Sequence, residues 1–200
     1  MKLYYSGNSP YARRARVAVR EAGLLNQVEE INLGDRPDRM DVLLANGPGA
    51  KVPVLATADG VAIWESLIIC KYLDEVSGGK LYPADRAERQ TTLQLEAMGS
   101  VLMDALFVRS REKRRDPGEQ SPGMIELEAE RARRTYDALE AMGSRLDGRV
   151  DNGCFTIVAT LGYADWRHPD DDWRDGRPKL LAAYDALMQR PSLADTAPVF

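Results

Sequence analysis

The feature that most constrains this chain of 200 residues is a change of hydrophobic pattern between residues 77 and 86. Before it, short segments with the period of a strand alternate with segments that have the period of a helix. After it, only long helical patterns remain. Alternating strands and helices are typical of an α/β domain, and helical runs alone predict a bundle. We therefore expect an α/β domain over 1–76, a turn-rich linker over 77–86 and an all-helical domain over 87–200.

The first domain has the predicted order β-α-β-α-β-β-α. Its strands are expected over 3–6, 28–33, 52–55 and 61–64, and its helices over 11–22, 37–46 and 65–76. Asp59-Gly60 is a strong turn pair, which predicts a hairpin between the last two strands.

The second domain is predicted to contain four main helices, over 87–113, 124–146, 155–166 and 177–189. The segment 155–166 is apolar almost all round, as expected for a helix at the centre of a bundle.

The overall charge and the cysteines argue against several partners. A net charge of −4 argues against a protein that binds nucleic acids in general. Cys70 and Cys154 have neither the spacing of a metal site nor that of a disulfide framework. No stretch approaches the ~20 apolar residues of a membrane span. We therefore expect a cytoplasmic protein without a metal, a nucleic-acid partner or a membrane partner.

Two arginine clusters are interpreted as solvated helix faces: Arg13, Arg14, Arg16 and Arg20, and the run from Arg109 to Arg115.

Ser9-Pro10 stands where the first strand leads into the first helix. Serine at the N-cap followed by proline is a good helix start without any function. The same geometry places a hydroxyl at the positive end of a helix, where it can stabilise a bound thiolate. The sequence alone favours the cap.

Two further positions have both a structural and a ligand-binding interpretation. Pro53 begins a strand at an edge or bend, and a cis Val52–Pro53 bond would leave the Val52 backbone free to pair with a peptide-like ligand. Glu65-Ser66 opens a helix, where free N–H groups attract a carboxylate and Glu65 is placed to hold an ammonium group. Together these groups suit the α-amino acid end of a ligand, although simple capping explains Ser66 equally well.

In combination, these segments resemble the cytosolic glutathione S-transferases, most closely their bacterial, serine-type branch. The resemblance covers nearly the whole chain and implies a thioredoxin-like N-terminal domain, a helical C-terminal domain and a homodimer. The matching segments are Ser9-Pro10-Tyr11-Ala12-Arg13-Arg14-Ala15-Arg16, Gly49-Ala50-Lys51-Val52-Pro53-Val54-Leu55, Trp64-Glu65-Ser66, Leu81-Tyr82-Pro83 and Leu161-Gly162-Tyr163-Ala164-Asp165-Trp166-Arg167.

The resemblance implies a role for each matching position. Ser9 corresponds to the catalytic residue that activates the glutathione sulfur. Val52, beside Pro53, pairs with the cysteinyl backbone of glutathione, and Lys51 faces its glycyl carboxylate. Glu65 and Ser66 hold the γ-glutamyl ammonium and carboxylate groups. Asp104 is a further candidate, reaching the γ-glutamyl amine of the other subunit.

The implied reaction is attack of the glutathione thiolate on a small hydrophobic electrophile bound between the domains. Its pocket is expected to include Tyr11, Met103, Phe107, Arg111 and Trp166. An isomerase, dehalogenase or lyase would use the same thiolate, and a non-catalytic interaction module would use only the fold.

Three other positions complete these expectations. Tyr5 is a weaker candidate hydroxyl than Ser9, and His168, the sole histidine, is interpreted as a surface or hinge residue. Asp151-Asn152-Gly153-Cys154 stands where the family has a Ser/Thr-x-x-Asp capping box. Asp151 still caps, but Cys154 cannot return the bond, which costs about 1 kcal/mol of helix stability.

Overall fold

The computed structural model describes residues 1–198 and contains a four-stranded mixed sheet with the strand order β2-β1-β3-β4. β1 (Lys2–Tyr5) pairs in parallel with β2 (Glu29–Asn32) and antiparallel with β3 (Val54–Ala56). β4 (Ala62–Ile63) extends the sheet as the second strand of the predicted hairpin. The parallel pair is joined by a helix, as the β-α-β pattern predicts.

The register of the sheet brings three loops together at one end of the strands. Tyr4 lies opposite Val54, so the loop that follows β1 is beside the segment that precedes β3. Leu55 lies opposite Ile63, so the chain leaving β4 continues toward the same end. Residues 6–9, 51–53 and 64–66 therefore gather there, although they are far apart in sequence.

Helices cover both faces of this sheet. α1 (Pro10–Glu21) and α3 (Ser66–Val76) pack against each other on one face and join the main core. α2 (Arg39–Asn46) covers the other face, where Leu33, Leu43 and Val54 form a separate small cluster.

The remainder of the described chain is helical. Its helices are α4 (Arg86–Glu112), α5 (Pro122–Ala141), α6 (Gly143–Leu146), α7 (Asn152–Arg167), α8 (Pro178–Met188) and α9 (Pro191–Ala194), with 3-10 turns at Pro117–Glu119 and Pro169–Asp171. Every residue of α7 up to Ala164 is buried, which confirms that this helix is central. The predicted fold class, an α/β sheet domain followed by a helical one, is thus confirmed. The domain boundaries at 76 and 87 stay a prediction.

α4 and α7 pack closely against each other at two glycines, Gly99 on α4 and Gly153 on α7. A Cβ added to Gly153 would lie 2.6 Å from the Thr92 backbone oxygen and 2.9 Å from the Leu95 Cβ. A Cβ on Gly99 would lie 2.8 Å from the Thr156 Cγ2. Larger residues at either glycine would force the two helices apart.

The start of α7 has the expected cap. Asp151 Oδ1 accepts the backbone N–H of Cys154 at 3.1 Å. Its Oδ2 accepts from Thr92 Oγ1 and from Arg149, each at 2.7 Å. Since these partners hold the capping carboxylate from outside the helix, they stabilise the cap without the reciprocal bond that Cys154 cannot make.

One predicted helix is interrupted. The pattern over 124–146 predicts a continuous helix, but α5 ends at Ala141 and α6 begins at Gly143. A Cβ at Gly143 would overlap the Lys179 side chain, so the chain turns where glycine lets α8 come close. Within residues 1–198, no helix is both long enough and apolar enough to cross a bilayer.

Candidate active site

Ser9 occupies the N-cap of α1, at the end of the sheet where residues 6–9, 51–53 and 64–66 come together. Its backbone is extended, and its Oγ accepts the N–H of Ala12 at 3.2 Å. The Arg13 N–H donates to the Ser9 carbonyl, and Pro10 has no N–H to give. Because Oγ acts as an acceptor in the cap, the hydroxyl proton is available for donation. The side chain is half-buried, so capping and ligand contact are compatible at this position.

Tyr11, two residues further along, is tied to α4. Its hydroxyl donates to Asp104 Oδ1 at 2.6 Å, and its ring meets Phe107 edge-on, with centroids 5.4 Å apart. Burial, followed by the bond to Asp104 and the Asp104 charge, raises the pKa of Tyr11 far above its usual value. Tyr11 is therefore a hydrogen-bond donor at neutral pH and not a base. Sequence reasoning named both residues but gave no sign of this pair.

The other predicted pocket residues are Trp166, Arg111 and Met103, and the first of these lies against Tyr163. Tyr163 lies close enough to Tyr11 to act on its pKa and meets Trp166 edge-on at 5.8 Å. Trp166 is half-buried and is stacked by Arg167, whereas Arg111 is exposed one helical turn beyond Phe107. Met103, however, is 0% exposed within the core of α4. Its prediction as a pocket residue is wrong, because a side chain that lines an open pocket keeps some exposed surface.

The cis-proline segment lies at the same end of the sheet. The Val52–Pro53 peptide is cis, and Val52 precedes β3, outside the paired register of the strand. Pro53 is buried, Val52 is half-buried and Lys51 is exposed.

The start of α3 combines an exposed acid with a buried hydroxyl. Glu65 is the N-cap residue, with a positive φ of 61°, and its side chain makes no capping hydrogen bond. It is exposed, which leaves its carboxylate accessible from the surface. Ser66 is 2% exposed, and its Oγ accepts a hydrogen bond at 2.6 Å from the guanidinium of Arg14.

The prediction that the arginines of α1 form a solvated face is wrong for two of them. Arg13 and Arg14 are each 3% exposed. Arg13 donates to the Leu193 carbonyl at 3.0 Å, and burial lowers the pKa of its guanidinium to about 10. Arg16 and Arg20 are half-buried, because both pair with Glu30 on β2.

The sole histidine is also placed differently from expectation. His168 is 3% exposed, with Nε2 2.9 Å from the Leu106 carbonyl and Nδ1 accepting from Arg109 at 3.2 Å. Burial, with a contribution from the Arg109 cation, lowers the pKa of His168 to about 4. Arg109 is itself buried and paired with Asp171, so the solvated-face prediction also fails there. This cluster joins α4 to the end of α7.

Cys70 and Tyr5 are both packed against other parts of the protein. Cys70 is a buried free thiol, and burial raises its pKa to about 12. The Tyr5 ring is covered by the Arg16 guanidinium at 4.3 Å. A cleft of about 880 Å³ opens between α4 and the loop at 147–151, and its lining includes none of the predicted site residues. Within the part of the chain that the structure describes, no cluster of histidine, cysteine and acidic side chains is arranged to hold a metal ion.

Comparison with known proteins agrees with this geometry. Residues 8–76 match the family described as glutathione S-transferase, N-terminal domain. The GST-like protein YibF of Escherichia coli K12 is 31% identical, over 99% of this chain and 98% of that protein. Glutathione S-transferase omega-1 of Sus scrofa is 33% identical, over 97% of this chain and 79% of that protein.

Solved structures give the same result. A glutathione transferase family member from Pseudomonas fluorescens Pf-5, with bound glutathione, superposes with a TM-score of 0.91 at 32% identity and covers 100% of this chain and 99% of its own. A glutathione S-transferase from Methylobacillus flagellatus KT, also with glutathione bound, gives a TM-score of 0.89 at 29% identity, with 99% of each chain covered. Since the likeness spans the whole chain in both sequence and fold, the chain belongs to the glutathione S-transferase family.

Proposed function

We propose that this chain is a glutathione transferase that conjugates the sulfur of glutathione to a small hydrophobic electrophile. Glutathione binds at the end of the sheet where residues 6–9, 51–53 and 64–66 come together. The observation that carries the proposal is the state of Ser9. Its hydroxyl stands half-buried at the N-terminus of a twelve-residue helix, with its proton free to donate. The Pseudomonas fluorescens relative that superposes on the whole chain has glutathione bound.

The proposed chemistry is stabilisation of a thiolate by Ser9. A free thiol has a pKa of about 8.5, so only a few per cent of it is ionised near pH 7. A hydrogen bond from the Ser9 hydroxyl and the positive end of the α1 dipole both favour the anion. The thiolate then attacks an electrophilic carbon of the second substrate, and the group displaced from that carbon leaves with the bonding electron pair.

The rest of glutathione is assigned to neighbouring segments. The Val52 backbone, outside the paired register of β3, is suited to the cysteinyl backbone, and exposed Lys51 to the glycyl carboxylate. Glu65 is suited to the γ-glutamyl ammonium group, since its carboxylate is exposed and takes no part in capping the helix. Ser66 and the first turn of α3 are suited to the γ-glutamyl carboxylate.

The electrophile is assigned to the surface between α1 and α4. Tyr11 and Phe107 form an aromatic wall there, and the half-buried Trp166 is assigned to the same surface, with the buried Tyr163 in edge-on contact behind it. Arg111, one turn beyond Phe107, suits a substrate with an anionic group. Asp104 accepts from Tyr11 of its own chain, so we assign it to positioning Tyr11 and not to the partner's γ-glutamyl amine. A homodimer and a cytoplasmic location complete the proposal.

The test is calorimetric titration of glutathione, together with an assay of conjugation to a generic aryl halide. Glu65→Gln is the informative variant, because Glu65 is exposed and makes no capping bond. We expect it to weaken binding without lowering the melting temperature. Glu75→Gln is the matched control, since Glu75 is exposed near the opposite end of the same helix.

The outcomes separate the alternatives. Binding with turnover supports the transferase. Binding without turnover on any aryl halide would redirect the search to isomerase, dehalogenase or lyase substrates. Absence of binding at millimolar glutathione would overturn the enzyme proposal and leave a fold used for protein contacts.

A further inference from the structure

Two arginines, Arg114 and Arg167, come together where α4 and α7 end. Arg114 follows the last turn of α4, and Arg167 is the last residue of α7. Burial, followed by the charge of Arg114, lowers the pKa of the Arg167 guanidinium. The two cations are therefore close enough to repel each other.

The surface of α4 connects Arg114 to the aromatic wall of the proposed electrophile site. Phe107, Arg111 and Arg114 are spaced by four and three residues, which places them along one side of a helix. The backbone N–H of Arg114 donates to the Arg111 carbonyl at 3.2 Å, so the last turn extends this side as far as Arg114. Arg114 thus stands two turns beyond Phe107, which contacts Tyr11.

α7 brings Arg167 to the same surface. Tyr163 precedes Arg167 by one helical turn and lies close enough to both Tyr11 and Arg167 to act on their pKa values. The Arg167 guanidinium covers the Trp166 ring, with its Cζ 3.4 Å from the ring centroid. Arg167 therefore borders from α7 the surface that Arg114 borders from α4.

No ion pair of the described chain includes Arg114 or Arg167. Arg167 Nε is buried and has no hydrogen-bond partner among the described residues. Arg114 is exposed, and the bond from its Nε to the Ser110 carbonyl, at 3.1 Å, holds the side chain along α4. Three acids close to them in sequence pair with other arginines: Glu112 with Arg115, Asp165 with Arg174 and Asp171 with Arg109.

The helix ends account for each arginine singly but not for the pair. A cation at a helix C-terminus is favoured by the helix dipole. Two cations held close together repel each other, and burial adds to the cost of the Arg167 charge. An anion bound between the two guanidinium groups would offset both costs. A carboxylate suits this place, because a guanidinium presents its N–H groups in the geometry that a carboxylate accepts.

We propose that Arg114 and Arg167 bind an anionic group of the second substrate, which is therefore an aryl electrophile that carries a carboxylate. The inference rests on the proposed function, because it names the substrate class of the same site. Exposed Arg111 adds positive charge to the approach. With a chlorinated aryl carboxylate, the glutathione thiolate forms the new C–S bond, the C–Cl bond breaks, and chloride leaves with the bonding electron pair. The carboxylate stays ionised and takes no part in these bond changes.

The test compares a chlorodinitrobenzoate with the corresponding chlorodinitrobenzamide, each with chlorine para to the carbonyl group. The two substrates have the same shape and leaving group and differ in charge. For each, kcat/KM is divided by the rate constant of its reaction with glutathione alone, so that intrinsic reactivity cancels. The variants are Arg114→Gln, Arg167→Gln and Arg167→Lys. The matched control is Arg115→Gln, which removes the same charge beside Arg114, where Glu112 and Glu119 are the partners.

We expect the wild type to prefer the benzoate by at least about tenfold, the typical effect of one charge-assisted hydrogen bond. The preference should fall toward one in Arg114→Gln and in Arg167→Gln, and Arg167→Lys should recover part of it. Arg115→Gln should keep the full preference.

A wild type without this preference would overturn the inference and leave the proposed function intact. Equal losses for both substrates in the two glutamine variants would do the same, since the preference would then be independent of the arginines. If Arg167→Gln does not fold, the preference of Arg114→Gln decides, because Arg114 is exposed. Turnover of neither substrate by the wild type would overturn the proposed function and this inference together.

Discussion

Replacing Ser9 with alanine removes a structural bond and a proposed chemical one in a single step. The structural bond is the cap, in which Oγ accepts the Ala12 N–H at 3.2 Å. Losing a serine N-cap costs about 1 kcal/mol. In a chain of this length, that lowers the melting temperature by about 2–4 °C. The chemical bond is the one from the Ser9 hydroxyl to the glutathione thiolate.

The size of the chemical effect follows from hydrogen-bond energies. A hydrogen bond to a charged group contributes about 1.5–3 kcal/mol, and one pKa unit corresponds to about 1.4 kcal/mol. Ser9→Ala should therefore raise the pKa of bound glutathione by about one to two units, and the thiolate fraction near pH 7 should fall about tenfold or more. The assay is the ultraviolet absorbance of the bound thiolate as a function of pH.

Ser9→Asp separates the two roles. Aspartate caps a helix as well as serine does, so we expect the melting temperature to stay at the wild-type value. Its carboxylate would stand beside the sulfur and oppose the thiolate, so the thiol pKa should rise further than in Ser9→Ala. An unchanged thiol pKa in Ser9→Ala would refute the role of Ser9. Full activity in Ser9→Asp would do so as well.

Three further predictions concern packing, the Tyr11–Asp104 pair and pH. Gly153→Ala should destabilise the protein by about 1–3 kcal/mol in thermal unfolding, because the new Cβ would lie 2.6 Å from a backbone oxygen of α4; Gly118→Ala, with open space around it, should not. Asp104→Asn should lower the pKa of Tyr11 toward its usual value, because the hydrogen bond to Asp104 and the Asp104 charge add to the effect of burial in raising it. The measurement is a pH titration of tyrosine absorbance in the wild type and in Asp104→Asn, with Tyr11→Phe identifying the Tyr11 signal. Identical titration curves for the wild type and Asp104→Asn would contradict the prediction. The folded-state pKa of His168, about 4, lies below the unfolded value of about 6.5, so the unfolded chain takes up the proton first. Stability should be complete above about pH 6.5 and fall by roughly 3 kcal/mol as the pH approaches 4, with a flatter profile in His168→Gln.

Local patterns in the sequence were enough to predict the elements that carry the site. Ser9 caps α1 and Asp151 caps α7 as predicted, because a cap is a contact over three residues. The hairpin before Glu65 is also a local feature, set by its turn pair. The order of strands and helices could therefore be predicted without any tertiary information.

The buried charges could not be predicted in this way. Arg14 finds its partners on α3 and α4, and Arg13 finds one on α9. In the sequence, both belong to a polar run that is typical of an exposed helix face. His168 is similar, since its partner carbonyl belongs to Leu106. No spacing along the chain encodes such contacts, which arise only when the helices pack.

The attachment of α1 to α9 has a consequence for how the protein is made. Arg190 donates to Glu21 at 2.7 and 2.8 Å, Ser192 donates to the same carboxylate, and Arg13 donates to the Leu193 carbonyl. The ribosome releases α1 early, but these contacts form only after residues 190–193 have emerged. The outer face of the helix that presents Ser9 thus stays uncovered until residues 190–193 have been synthesised, and a synthesis halted before residue 190 leaves it exposed.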